Sequence, residues 1–326
     1  YTLLPVEIFI MCIAPEALII DTDPGIDDAA AILFALGLEA LGKVKLLAIT
    51  VVNGNVSLDK TYRNALIISE WAQRPDVPVF PGAHTPLLAP VLSAEDVHGQ
   101  TGLGSQQLPQ PKERPQPKKA HRFLIETLQA APPKSITLCA IGPLTNIALA
   151  LSAEPDCIQG IKQLLIMGGN YLSPGNITPN AEFNFYIDPD AAEIVLRAPI
   201  KKYIFPLELT EQAQITHKRM DALRTLNNEN GRRIADLLQD YSRYDIQQFG
   251  LEGGPLHDPC PVAYLVAPHL FKSKSCHARL ERTGLMQGAV HLTWHQNSNQ
   301  PNVEWCYHLD SDGFFDLFTR AFSALP

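Results

Sequence analysis

The chain has no pair of cysteines at redox or metal-ligand spacing: Cys12, Cys139, Cys157, Cys260, Cys276 and Cys306 are scattered over 326 residues. That excludes a zinc ribbon or a CxxC centre and makes reduced core thiols of a cytosolic protein the expectation. It also lacks a basic surface block. Lysine and arginine number 26 against 34 acidic residues, the formal net charge is −8, and only KERPQPKK at 112–119 concentrates positive charge. A polyanion such as nucleic acid is therefore not expected as a partner, and a small neutral or cationic molecule fits better. Long uninterrupted apolar runs are missing too. The opening YTLLPVEIFIMCIAPEALII is broken by Pro5, Glu7, Pro15 and Glu16 and has no basic leader, so it reads as neither signal peptide nor membrane span. Residues ahead of Met11 read as an upstream extension. No internal repeat and no second core are visible, so an N-terminal extension over 1–16 and one domain over 17–326 are expected.

What is present is an ordinary globular composition, 46 % hydrophobic and 18 % charged. Strand-like and helix-like runs alternate: Ala17–Ile20, then a helix from Asp27 to Gly37; Lys45–Val51, then Leu58–Trp71; Val77–Phe80; Arg122–Ala130, then Ser135–Ala140; Leu144–Leu151, then Gln163–Met167; Asp190–Leu196, then Lys202–Phe205. This rhythm predicts an α/β fold, a mostly parallel open sheet with helices on both faces. After Thr216 the chain turns helical, through Met220–Leu226 and Gly231–Gln248. Short alternating runs near Gly288–Trp294 and Val303–Leu309 suggest a small antiparallel C-terminal appendage before a terminal helix from Gly313. The proline-rich Ser105–Lys119 reads as an exposed loop, either a lid over a site or a surface excursion.

The strands end in DTDPG, NGN (Asn53–Asn55), IGPLTN (Ile141–Asn146) and MGGN (Met167–Asn170), loops that a parallel sheet brings to one edge, where ligands bind. Asp21, Asp23, Asp27 and Asp28 crowd into eight residues there. Like charges about 4 Å apart repel by roughly 4 kcal/mol at an effective dielectric near 20, so the group calls for a cation or bound protons. Asp21 reads as structural, and any one or two of the four could be helix caps. In AEFNFYIDPDAA, Glu182 and Asn184 share one face of an extended segment, with Phe183 and Phe185 on the other. Such a carboxylate and amide suit vicinal hydroxyls, or simply an exposed strand face. Asn176 lies in a turn-rich loop. Asp258 follows His257 at the start of a helix, where alone it reads as a cap, and His257 and His98 in HGQTG are each as easily satisfied surface histidines.

The strings DTDPGIDDA, NGN, ITLCAIGPLTN, MGGN, NAEFN and LHDPC, in this order from about Ala17 to the C-terminus, resemble the inosine–uridine-preferring nucleoside hydrolases. NVS, RNAL, VHG and GNITPNAEFN are most similar to the bacterial broad-range ribonucleoside hydrolases. The resemblance implies a Rossmann-like core, one Ca2+ per subunit, a homodimer or homotetramer, a small nucleoside as substrate, and a cytoplasmic salvage enzyme that splits ribonucleosides into ribose and base. Carried over position by position, it makes Asp23 the base that activates water and a metal ligand, with Asp28, Asp258 and the Ile141 carbonyl as further ligands. Asp27, Asn55, Asn176, Glu182 and Asn184 would hold the ribose, with Met167 lining its pocket. His257 would protonate the departing base, with His98 on the same side. Tyr244–Glu252 falls where the family varies, and neither Tyr244 nor Phe249 receives a role. A phosphotransferase built on the DxD of DTDPG has no use for NAEFN or HDP, and a non-catalytic nucleoside binder has no need of every acidic position.

Overall fold

The computed structural model describes residues 14–104, 108–112, 116–249, 252–294 and 300–326, the side chains of 243–249 excepted. The strands, in chain order, are β1 Glu16–Thr22, β2 Val44–Val51, β3 Val79–Pro81, β4 Ile136–Ala140, β5 Ile161–Met167, β6 Lys202–Phe205, β7 Gln214–Thr216, β8 Gly253–Pro255, β9 Phe271–Leu280, β10 Val290–Thr293 and β11 Val303–Leu309. Nine form one sheet in the order β10-β9-β11-β6-β5-β4-β1-β2-β3. From β3 to β11 the neighbours in this order are parallel; β9 and β10 are antiparallel at the far edge. The expected mostly parallel α/β sheet is thus present, and the C-terminal antiparallel strands extend it.

β1 sits near the middle and is buried on both faces, which is why it reads as a continuous apolar run. Leu18 and Ile20 join one core, with Phe34 from the helix Ile26–Ala40 and Phe314, Phe318 and Phe322 from the helix Ser311–Ser323. Ile19 joins the other, with Leu128, Ile147 and Val195 from the helices Ala120–Ala130, Thr145–Ala153 and Pro189–Arg197. The first helix is buried from Ile26 to Leu38, so an apolar surface all round suits it, and it runs past Gly37, where the sequence suggested an end.

Two features depart from the sequence reading. β9, FKSKSCHARL, is a strand that no apolar alternation announces, because four consecutive residues, 272–275, are exposed. The NAEFN segment is not extended: Phe183–Ile187 is a helix, with Glu182 as its N-cap accepting from the amides of Asn184 and Phe185. Capping by that carboxylate, not the two-residue alternation of a strand, sets the geometry. A separate antiparallel pair, β7 with β8, ties the chain after β6 to the segment ahead of His257. No helix among the described residues is long and apolar enough to cross a membrane.

Candidate active site

The carboxyl ends of β1, β2 and β4 meet at Asp23. Its Oδ2 accepts from Asn55 N at 2.7 Å, while its main-chain oxygen accepts from Asn55 Nδ2 at 3.2 Å. Two glycines make that approach possible. A β-carbon on Gly54 would lie 1.9 Å from Asp23 Oδ2, and one on Gly142 would lie 2.4 Å from Oδ1. The NGN and IGP loops therefore close directly on this carboxylate, and a side chain at either position would displace it.

Asp28, in the first turn of the helix, turns back on the DTDPG loop. Its Oδ1 accepts from Thr22 Oγ1 at 2.5 Å and from Asp23 N at 3.2 Å; its Oδ2 accepts from Gly25 N at 2.9 Å and Asn55 Nδ2 at 3.0 Å. Asp258 arrives from far along the chain at the start of the helix Pro259–Val266 and makes no capping bond there. Asp27, Asp28 and Asp258 each present an oxygen within 4.8 Å of the others. Asp27, which the family resemblance assigns to the sugar, thus belongs geometrically to this acidic trio. Asp23 lies beside it, with a buried Oδ1 that receives no hydrogen bond.

Burial raises the pKa of every member. Asp23 is raised well above the usual carboxylate range by burial and then by Asp28; Asp258 by burial and then by Asp27, Asp28 and Asp23. Asp27 is pushed up to about 8 by burial and by Asp28, and Asp28 is raised chiefly by burial. A donor-poor oxygen among mutually repelling carboxylates is the environment a cation relieves, and an all-oxygen set of this kind suits a hard divalent ion.

A cavity of about 360 Å³ opens onto this cluster. Every residue to which the family resemblance gives a role lines it except Asp23 and Asp28, which are fully buried. Glu182 faces it with both oxygens already aligned by the amides of Asn184, Gly169 and Phe185, and burial pushes its pKa to about 7. Asn184 Nδ2 donates to the carbonyls of Ile141 and Met167, both at 3.3 Å. The exposed Asn176 is fixed through its Oδ1, which accepts from Phe183 N at 2.8 Å. One wall of the cavity thus carries carboxylates and amides converging from several loops, as recognition of a polyhydroxylated ring requires.

The other wall carries two imidazoles. His98 is buried at the end of the short helix Glu95–His98, accepts from Ile26 N through Nδ1 at 3.1 Å, and lies 5.8 Å from the Tyr241 ring, stacked at 25°. His257 Nδ1 is 2.6 Å from Thr210 Oγ1. Burial lowers both histidines to about 4, His98 with a smaller contribution from His257. Tyr241 and Thr210 were not found from sequence. Tyr241 continues the apolar face of its helix after Leu237 and Leu238, a signal that was available; Thr210, in LELT, has no such signal. Tyr244 and Phe249 lie outside the described side chains. The described parts of 105–119 contribute nothing to the cavity. They are held to the helix Leu58–Trp71, where Arg63 Nη2 donates to the carbonyls of Leu108 and Pro109 and Tyr62 Oη accepts from Gln116 N.

A sheet edge that gathers carboxylates under a cavity lined by amides and imidazoles defines an enzyme acting on a sugar-bearing small molecule. The sequence profile of the inosine-uridine preferring nucleoside hydrolases matches residues 18–316, and the chain belongs to that family. It is a hydrolase of N-glycosyl compounds. The chain is 37 % identical over 306 residues to a pyrimidine-specific ribonucleoside hydrolase, RihA, of an Enterobacter species, covering 93 % of this chain and 96 % of the relative. Among solved structures, a plant nucleoside hydrolase superposes with a TM-score of 0.90 at 30 % identity, covering 95 % of this chain and 99 % of its own. A purine-preferring ribonucleoside hydrolase from Gardnerella vaginalis gives 0.88 at 29 % identity, with coverages of 94 % and 98 %.

Proposed function

We propose that the protein is a Ca2+-dependent ribonucleoside hydrolase of broad base range, converting purine or pyrimidine nucleosides and water to ribose and free base in cytoplasmic salvage. The observation that carries this reading is Asp23, a buried carboxylate with one oxygen lacking any donor, placed beside Asp27, Asp28 and Asp258 under the cavity. Asp23, Asp28, Asp258 and the Ile141 carbonyl would hold one cation per subunit, with Asp27 in the same cluster. Bound there, it would supply Lewis acidity toward water and cancel the carboxylate repulsion.

The chain's own groups do the rest. Asp23 would take a proton from the attacking water. Asn55, Asn176, Glu182 and Asn184, with Asp27, orient the ribose through its hydroxyls, and Met167 lines the sugar side. Cleavage of an N-glycosidic bond develops positive charge on the ribose, so this acidic wall favours the transition state over the neutral substrate. His257 would donate a proton to the departing base, with His98 on the same side. The buried thiols of Cys139, Cys157, Cys260, Cys276 and Cys306 are unpaired, which suits a reducing compartment. A homodimer or homotetramer goes with this reading.

The test is base release across inosine, uridine, cytidine and xanthosine, with and without chelator and with and without phosphate. Hydrolysis independent of phosphate and abolished by chelator is expected. A requirement for phosphate would make the protein a phosphorylase, and release of inorganic phosphate from phosphomonoesters would favour a phosphotransferase.

A further inference from the structure

Thr210 is fully buried in the short helix Leu207–Thr210, remote in sequence from the catalytic strings, yet its hydroxyl meets the side chain of His257. The small β7–β8 sheet brings them together. Gln214 pairs with Pro255, and Leu256 N donates to Ala213 O at 2.9 Å, which anchors the residue just before His257 to the turn just after Thr210.

The Thr210 hydroxyl has one proton and three acceptors within reach. The carbonyls of Pro206 and Leu207 lie at 3.3 and 3.4 Å, whereas His257 Nδ1 lies at 2.6 Å. Strong O–H···O bonds fall at roughly 2.5–3.0 Å, so both carbonyls are poor acceptors here. Pro206 O is also occupied by the amides of Leu209 and Thr210, and Leu207 O already accepts from that of Glu211 at 2.8 Å. If Nδ1 carried the ring proton, the hydroxyl would be left with only these two; a lone pair on Nδ1 satisfies hydroxyl and ring together.

We propose that Thr210 is a positioning residue for His257: its hydroxyl donates to Nδ1, so the neutral imidazole keeps its proton on Nε2, the nitrogen left for the cavity, and offers it to the departing base. His98 is set the same way by a different donor, since Ile26 N can bond only to a lone pair on Nδ1. Both rings that line the cavity thus present an N–H rather than an acceptor. This rests on the nucleoside hydrolase reading above.

Thr210→Val keeps the side-chain shape and removes the donor, and Thr210→Ser restores it. With Val, kcat on uridine and inosine is expected to fall roughly 10- to 100-fold with KM changed less than about threefold. Hydrolysis of 4-nitrophenyl riboside, whose phenolate leaves unaided, is expected to fall much less, and Ser should recover most of the nucleoside rate. In a His257→Ala background, Val should add no further loss. Equal losses on both substrates, an unaffected nucleoside rate, or no recovery with Ser would overturn the proposal. An independent reading comes from 15N-histidine NMR of the wild-type protein, with His257 assigned by its disappearance in His257→Gln. An Nε2–H tautomer is expected and an Nδ1–H tautomer overturns the assignment, whether or not the Val variant folds. A wild-type protein that cleaves neither nucleosides nor the riboside would instead sink the hydrolase reading, and the tautomer would still decide the Thr210 contact.

Discussion

Asp21 and the cluster of Asp23, Asp27, Asp28 and Asp258 lie at the same edge of the sheet, Asp21 and Asp23 separated by a single residue of β1, and they differ in the charge that faces them. Asp21 Oδ1 accepts from Thr50 Oγ1 at 2.5 Å and from Asn146 Nδ2 at 2.8 Å, neutral donors from the next strand and from the helix after β4. Burial raises it to about 7, and both donors pull against that rise. Asp23, Asp27, Asp28 and Asp258 are buried as deeply, but there like charges push in the same direction as burial for Asp23, Asp27 and Asp258. Asp21 Oδ2 lacks a donor just as Asp23 Oδ1 does, but no other carboxylate adds to its rise, and its Oδ1 ties loops together. Several facing one another need an outside charge, and that need separates a site from a strut.

The sharpest break in this comparison is Asp23→Asn against Asp21→Asn. Removing the base is expected to lower kcat by about a thousandfold or more while the melting temperature holds or rises, because a buried repulsion is relieved. The Asp21 change should leave kcat within about tenfold, since an amide oxygen can still accept from Thr50 and Asn146. Steady-state assays and thermal melts on both variants check the pair. His257→Ala comes next: roughly 100-fold on nucleosides, and far less on 4-nitrophenyl riboside.

Asn146→Ala attacks the strut. Its amide donates to Asp21 Oδ1 and Val51 O and accepts from Ala83 N, so its loss leaves several buried groups unpaired. A loss of about 1–3 kcal/mol in denaturant unfolding is expected, with catalysis reduced less than by Asp23→Asn.

The smallest effect expected is on the pH dependence of the chelator-treated protein. Asp21 and Asp27 bind protons more tightly folded than unfolded, with values of about 7 and about 8 against the usual 3.8. Their stabilising contribution is full at low pH and is lost as pH rises through the folded values. Between about pH 7.5 and 8.5, above most of the range in which His98 and His257 titrate in either state, the melting temperature should therefore fall. Added Ca2+ should restore it more at the upper end of that window than at the lower. A melting temperature that is flat or rising across it would contradict the account of the cluster.

Much of this was legible in the sequence because it is local. The alternation of strands and helices fixes a parallel sheet, and DTDPGIDDA marks its ligand-binding edge. What escaped depends on the fold. β9 is half exposed and carries charge where an apolar alternation would have announced it. Asn184 lies on a helix because the Glu182 carboxylate caps it, which spacing alone does not show. Asp27's place in the acidic trio depends on Asp258, and Thr210's on a hairpin-like pairing of β7 and β8. Both contacts span long stretches of chain and leave no mark on their neighbours in sequence.

The most direct test is base release from uridine by chelator-stripped protein as Ca2+ is added back, with bound ion measured in the same samples. The account expects no turnover without the ion and full recovery as one Ca2+ per chain binds; full turnover in excess chelator would contradict it.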